Sequence, residues 1–198
     1  MWRLTGDFWD RWEPLHAMFD KCEEWQGVTQ KGNYPDCDML PIGKLSKNGT
    51  CHGPQNRWTQ FTKPEQYTLM TLWGIFRSPL MIGGNMPEFD GFTTSLLTNA
   101  EYMKMHQTSY GAKKIMRREK NGRGAIAWAA NGKGCKYIAL FNTDNKVKTV
   151  TLNVTDILMP DAEYRIFDIW ANQAAGKIKN TLGAEIEPHG AKLFKVTV

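Results

Sequence analysis

Several features that would place this sequence in a common functional class are absent from it. No apolar run approaches the about 18 residues that a membrane-spanning helix needs. The first residues lack the basic, then apolar, then small-residue order of a secretory leader. The four cysteines include no CxxC pair and no Cys–His spacing typical of a zinc site. We therefore expect a globular chain with no membrane partner and no cysteine-bound zinc.

The charge balance is basic but dispersed. The formal net charge is +5, from 25 Lys and Arg against 20 Asp and Glu. The densest basic cluster is "KKIMRREK" at 113–120, where the alternation is typical of the solvent side of a strand. We therefore expect a solvated face there and no nucleic-acid partner.

The cysteines leave the redox state open. Cys22 occupies an apolar position of a predicted helix, which favours a buried free thiol. Cys37 and Cys51 flank one loop, and they could form a disulfide in an oxidising compartment.

The chain opens on "WRLTGDFWDRW" and continues into a helical pattern. Residues 9–26 carry apolar side chains at spacings of three and four, which predicts a helix with one buried stripe. Asp7 or Asp10 could cap the start of this helix.

Helical and extended segments then alternate up to about residue 109. Residues 61–77 predict a second helix, with Thr62 and Glu65 placed for a capping box. The apolar run 78–84 predicts a buried strand, and 92–107 predicts a helix in two pieces.

From about residue 110 the helical period disappears, and short β-rich runs follow. The dipeptides "NG" at 121–122 and 131–132 predict hairpin turns between antiparallel strands. The sequence thus predicts an α/β part over 1–109 and an antiparallel β-sandwich domain over 110–198.

Acidic residues cluster at two places in the first half, both next to aromatic side chains. Asp7 lies in "WRLTGD", and Asp36 and Asp38 lie in "YPDCDML". Paired carboxylates suit glycoside hydrolysis, in which one protonates the leaving oxygen and the other attacks the sugar or activates water. From the residues alone, helix caps for the acids and core positions for the Trp side chains are the commoner roles.

Five segments in order resemble the C-terminal part of the α-galactosidases of glycoside hydrolase family 27. They are "MWRLTGDFWDRW", "YPDCDMLPIG", "RWTQFTKPEQYTLMTLWGIFRSPLMIGGNMP", "FTTSLLTNAE" and "AIAWAA…KYIALFN". The resemblance implies the last units, about six to eight, of a (β/α)8 TIM barrel over 1–109, followed by the β-sandwich. It also implies retaining hydrolysis of terminal α-galactosyl residues.

The resemblance assigns roles to individual residues. Asp7 falls on the catalytic acid/base, and Arg3 falls on an arginine that contacts the sugar. Asp38 falls on a sugar-binding aspartate, with Met39 beside it. Asp36 is grouped with these substrate-binding residues, and its expected role is to support the loop that carries Asp38. Tyr34 stands where the family usually has Trp. No segment corresponds to the motif that carries the nucleophile.

The resemblance also sets expectations for partners and location. We expect an α-galactosyl oligosaccharide or glycoconjugate as substrate and no metal or organic cofactor. A C-terminal fragment would pair with the missing N-terminal half of the barrel or self-associate. Family members of full length are expected to be secreted or periplasmic. The alternative functions are a non-catalytic carbohydrate-binding module, through Trp128 or Trp170, and an inactive truncated fragment, although Trp128 is more typical of a core position.

Overall fold

The computed structural model describes residues 1–30, 32–46, 56–157 and 162–198. The first part contains strands β1 (Trp2–Arg3) and β2 (Pro35–Asp36) and helices α1 (Trp12–Glu24), α2 (Lys63–Phe76), α3 (Gly91–Thr98) and α4 (Ala100–Thr108). The second part contains the following strands: β3 (Tyr110–Lys120), β4 (Arg123–Gly132), β5 (Cys135–Asn142), β6 (Lys148–Asn153), β7 (Tyr164–Asp168), β8 (Gln173–Ile178), β9 (Thr181–Ile186) and β10 (Ala191–Thr197).

The first part pairs its extended segments in parallel. Strands β1 and β2 are parallel, with Arg3 opposite Asp36. A parallel bridge joins Leu40 to Ile82, so 78–84 forms a single bridge and not the predicted regular strand. Pro79 has no amide hydrogen to donate to a ladder. The partial TIM barrel, units six to eight, stays a prediction, since these contacts are the parallel pairings within the described residues.

Helix starts follow the local sequence to different degrees. At α2, Thr62 Oγ1 accepts from the Glu65 amide, and Glu65 bonds back to Thr62 N, which confirms the capping box. At α1 the predicted Asp cap is wrong, because Arg11 occupies the N-cap and no side chain caps it. The buried Asp10 carboxylate instead accepts from Arg57 at 2.7 Å and from the Gln60 amide at 2.7 Å.

The second part is a β-sandwich, as the sequence predicts. Six strands form one antiparallel sheet in the order β3-β4-β5-β10-β7-β8, and β6 pairs with β9 in a second sheet. Asn121 and Gly122 form the β3–β4 turn with φ values of 54° and 72°, which confirms the first hairpin. The second prediction is wrong by one dipeptide, because Gly132 pairs with Cys135 and the turn falls on 133–134.

The six-stranded sheet is buried on both faces at its centre. Along β4, Ala125 and Ala127 face the β6–β9 pair, whereas Ile126 and Trp128 pack with the helices. Trp128 is fully buried and meets Phe76 of α2 edge to face at 6.2 Å. The alternation of strand side chains therefore contributes to two cores, which explains why residues 125–130 of this strand are all apolar.

One of the two cores joins the helical part to the sandwich. One core contains side chains from α1, α2 and α4 together with the near face of β4, β5 and β10. No helix of the described residues is both long and apolar enough to cross a membrane.

Candidate functional site

The parallel pairing of β1 with β2 brings the acidic segments together. Leu4 N donates to Asp36 O at 2.9 Å, which aligns the ends of the two strands. The residues after each strand, from Gly6 to Phe8 and from Cys37 to Met39, therefore lie at the same edge. Residues that follow parallel strands commonly form active sites at such an edge.

Asp38 is the centre of this edge. Its Oδ2 accepts from Arg3 Nη2 at 2.7 Å and from Phe8 N at 2.7 Å. Its Oδ1 accepts from Met39 N at 2.8 Å. The side chain is only 5 % exposed, so the Arg3 guanidinium compensates a carboxylate that is largely removed from water. Charge-assisted bonds of this kind fix the carboxylate in one orientation.

Three hydrogen bonds from neighbouring side chains fix the backbone around Asp38. Asp36 Oδ1 accepts from Asp38 N at 2.8 Å, and Trp73 Nε1 donates to Asp38 O at 2.9 Å. Ser78 Oγ accepts from Cys37 N at 2.9 Å. These bonds hold Asp38 at a φ of 78°, a left-handed conformation that is uncommon for residues other than glycine. Asp36 is buried beneath the loop, where its carboxylate orders the backbone.

Asp7 lies at the open side of the same edge. Its side chain is 79 % exposed, and its Oδ1 is 3.6 Å from Arg3 Nη2. Arg3 itself is 40 % exposed and also donates to Gly6 O at 2.8 Å. A single guanidinium therefore contacts both the fixed Asp38 and the solvent-facing Asp7.

An apolar rim lies next to the carboxylates. Met39 is 45 % exposed, and Met81 and Ile82 are also exposed. Leu40 N donates to Met81 O at 2.7 Å, which places the two methionine segments side by side. A Cβ at Gly83 would lie 2.7 Å from Met39 Sδ, so a larger residue there would displace the Met39 side chain. The predicted residues Arg3, Asp7, Asp38 and Met39 thus share one edge, while Asp36 supports it.

A basic side chain lies over the ring of Tyr34. The guanidinium of Arg77 lies 5.5 Å from the centroid of the Tyr34 ring. One contact of the ring is therefore with a basic side chain that the sequence did not connect to it.

The sequence did not identify a polar and aromatic pair further along the same loop. Lys44 is buried, donates to Asn56 and places its ammonium 5.5 Å from the ring of Trp58. Trp58 is exposed and pairs with Lys44 through an antiparallel bridge. The available signal was a lysine placed directly after the apolar run 39–43.

Two of the cysteines form a buried pair. Cys22 Sγ and Cys37 Sγ are 3.7 Å apart, and both residues are buried. Both are free thiols, which agrees with the prediction for Cys22. Burial, with smaller contributions from Cys37, raises the pKa of the Cys22 thiol well above its usual value. Cys51, with which Cys37 could form a disulfide in an oxidising compartment, lies outside the described residues.

Comparison with known proteins places these observations in a family context. Residues 122–196 match the model of the alpha galactosidase C-terminal beta sandwich domain. Alpha-galactosidase D of Emericella nidulans is 26 % identical over 98 % of this chain and 28 % of that protein. Alpha-galactosidase 2 of Arabidopsis thaliana is 26 % identical over 99 % of this chain and 46 % of that protein.

A solved structure extends the likeness to the whole chain. The family 27 β-L-arabinopyranosidase of Geobacillus stearothermophilus superposes with a TM-score of 0.92 and 40 % identity. The match covers 100 % of this chain and 45 % of that enzyme. The chain therefore spans less than half the length of these relatives. On this combined evidence the chain resembles the C-terminal part of the α-galactosidases of glycoside hydrolase family 27.

Proposed function

We propose that this chain supplies the proton donor and part of the sugar-binding surface of a retaining glycoside hydrolase that acts on terminal α-galactosyl residues. The observation that carries the proposal is the position of the Arg3 guanidinium. It lies 2.7 Å from the buried Asp38 carboxylate and 3.6 Å from the exposed Asp7 carboxylate. The names of the relatives support a carbohydrate substrate.

Asp7 is the proposed acid/base. Its exposed carboxyl can reach a glycosidic oxygen, donate a proton to the leaving alcohol and later accept a proton from the attacking water. Arg3 orients Asp7 from one side while its bond to Asp38 keeps the guanidinium in place.

Asp38 and Met39 are the proposed sugar contacts. A carboxylate has about four acceptor sites, and three bonds to Asp38 occupy part of that capacity. The remaining capacity suits a sugar hydroxyl, because hydroxyl groups can donate to a fixed carboxylate. The exposed Met39 offers an apolar wall for the face of the ring.

The nucleophile is proposed to come from residues that complete the site. A retaining pair needs two carboxyl groups about 5–5.5 Å apart. Asp36 and Asp38 are both buried and committed to the bonds described above, so neither is free to attack a sugar carbon. The proposed partner is the N-terminal half of a family 27 barrel, joined in the same polypeptide or supplied separately. Self-association of this chain is the alternative partner, and it would leave the site without a nucleophile.

A chimaera tests the proposal. This chain would replace the matching C-terminal segment of the Geobacillus β-L-arabinopyranosidase. The substrates are 4-nitrophenyl α-D-galactopyranoside and 4-nitrophenyl β-L-arabinopyranoside, since the 40 % identity to that enzyme makes the pentose a second candidate. We expect hydrolysis of at least one substrate by the chimaera and little or none by this chain alone.

Single substitutions in the chimaera assign the roles. With an alkyl glycoside of the accepted sugar, whose poor leaving group needs protonation, Asp7→Ala should lower kcat by about 10²–10⁴-fold, as loss of a general acid does. Asp38→Asn should raise KM more than it lowers kcat. Asp156, which is exposed on the sandwich, gives the matched control Asp156→Ala with unchanged rates. Full activity of Asp7→Ala, or ready turnover by the isolated chain, would contradict the proposal.

A further inference from the structure

A second surface with the chemistry of a ligand site lies where α2 meets the sandwich. Tyr67 of α2 and Trp170, which follows β7, have ring centroids 5.4 Å apart with a 52° angle between the planes. Both side chains are half-buried, whereas the adjacent Tyr102 is fully buried. Neither ring contributes to the Arg3–Asp38 site, so the hydrolysis proposed for that site gives Tyr67 and Trp170 no role.

The aromatic pair is rigid. Trp170 stacks on Tyr102 with centroids 4.9 Å apart, and its Nε1 donates to Thr71 Oγ1 at 2.8 Å. Tyr67 also meets Phe92 edge to face at 5.4 Å. A surface that is already ordered loses little conformational entropy when a ligand binds.

Two cavities share this pair as a common wall. One has a volume of about 400 Å³ and a charged rim, to which the following residues contribute: Lys63, Glu185, Glu187 and Lys192. The other has a volume of about 340 Å³ and a neutral polar rim, to which the following residues contribute: Ser95, Thr98, Asn99 and Asn172. Both volumes fall at the lower end of the range of about 300–1,000 Å³ typical of small-molecule sites.

The rim chemistry favours a neutral polyhydroxyl ligand. Lys63 and Lys192 provide donors, while Glu185 and Glu187 provide acceptors, so the charged rim has no strong preference for a cation or an anion. Sugar hydroxyl groups both donate and accept, and the apolar face of a pyranose ring can pack on an aromatic side chain. Lys192 is held by Asp168 at 3.0 Å, which fixes one of these donors. Burial raises the pKa of the Tyr67 phenol, and its hydroxyl thus keeps its proton.

We propose that the Tyr67–Trp170 surface is a saccharide-binding site with two adjacent subsites, one on each side of the aromatic pair. Its ligand is a neutral pyranoside or a short oligosaccharide of such units. The site shares none of the residues placed in the hydrolytic machinery. Its occupation does not depend on Asp7, on a nucleophile or on completion of a barrel.

The test follows the indole N–H signals of the full chain, labelled with ¹⁵N-Trp, by nuclear magnetic resonance. Trp170→Phe assigns the Trp170 signal. We expect a saturable shift of that signal with galactose, with a larger effect for raffinose because it can span both subsites. Glycerol at equal hydroxyl concentration controls for a general polyol effect and should give no saturation.

Variants of exposed rim residues probe the site with little risk to the fold. Lys63→Ala and Glu185→Ala should each raise the Kd about tenfold, since each removes a charged hydrogen-bonding group. Lys133→Ala, an exposed lysine in the β4–β5 turn, is the matched control and should leave the Kd unchanged. Asp38→Asn should also leave the Trp170 titration unchanged, which separates this site from the proposed hydrolytic one.

The Trp170 titration either supports the proposed saccharide site or overturns it. Saturation at Trp170 that weakens in the rim variants but not in Lys133→Ala supports the proposal. No saturation, an equal response to glycerol, or a response confined to Trp2 near Arg3 would overturn it. Concentration-dependent broadening without added sugar, with loss in Lys63→Ala, would identify the surface as a protein contact and would also overturn it.

Discussion

Glu119 joins helix α1 to strand β3. Replacing it should remove part of the dependence of the free energy of unfolding on acidic pH. Its side chain, only 8 % exposed, accepts from His16 Nε2 at 2.8 Å, Thr143 Oγ1 at 2.6 Å and Arg117 Nε at 2.6 Å. Arg117 also pairs with Asp20 and lies 3.3 Å from Glu23, both on α1. The cluster therefore holds the helical part on the sandwich.

The size of the effect follows from the pKa of Glu119. Burial would raise this pKa, but the hydrogen bonds from His16, Thr143 and Arg117 outweigh it and lower the pKa from 4.5 to about 2. Such a difference corresponds to about 3 kcal/mol, which solvent screening at the edge of the cluster reduces to about 2 kcal/mol. Because the folded-state pKa is lowered, this stability is present above pH 4.5 and is lost as the pH falls towards 2.

Urea unfolding of the full chain and of Glu119→Gln, measured by tryptophan fluorescence at several pH values, checks this. The variant should be less stable by about 2 kcal/mol at pH 7, and the difference should close as the pH falls from 4.5 towards 2. Glu163→Gln is the matched control, since its exposed pair with Lys177 should contribute at most about 1 kcal/mol. Parallel stability curves for the chain and Glu119→Gln across this pH range would refute the reasoning.

Three further predictions concern the core, a helix cap and the thiols. Trp128→Ala should destabilise the chain by about 3–5 kcal/mol in urea unfolding, because it removes a fully buried ring between sheet and helix. Thr62→Ala should cost about 1 kcal/mol through loss of the capping box, and Thr62→Ser should restore most of it. Iodoacetamide should label the partly exposed Cys135 before the buried Cys22 in the native chain, as judged by peptide mass spectrometry. Equal labelling rates without denaturant would contradict the burial and raised pKa of Cys22.

The sequence predicted the elements whose signals are local and strong. The Thr62–Glu65 capping box and the Asn121–Gly122 turn each depend on a few adjacent residues, and both occur as expected. The break near Thr98 also occurs, because Asn99 caps the following helix with its side chain at Tyr102 N.

Elements that depend on partners distant in the sequence were harder to predict. The turn predicted at 131–132 shifts to 133–134, since pairing of Trp128 with Ala139 sets the register of the whole hairpin. No apolar pattern in the sequence marks strand β8, because its residues are mostly exposed and show no apolar alternation. Such an edge strand is defined by its hydrogen bonds to β7, which the sequence pattern does not reveal.

The candidate site also combines residues that the sequence predicted with groups that it did not reveal. Arg3, Asp7 and Asp38 were chosen by resemblance, and the parallel strands bring all three to one edge. The groups that hold Asp38 include the Phe8 amide, next to Asp7, and the Trp73 indole, which belongs to a segment without an acidic motif. Their roles come from tertiary packing, so no local pattern could have assigned them.

The proposal that Asp7 is the proton donor is tested most directly by the leaving-group dependence of Asp7→Ala in the chimaera. Loss of a general acid should harm a substrate with a poor leaving group far more than one with an activated phenol, because only the former needs protonation. Azide should restore turnover of the activated substrate and give a glycosyl azide of retained configuration, with no such product from the Asp156→Ala control. An equal loss of rate for both leaving groups, with no azide product, would contradict the account.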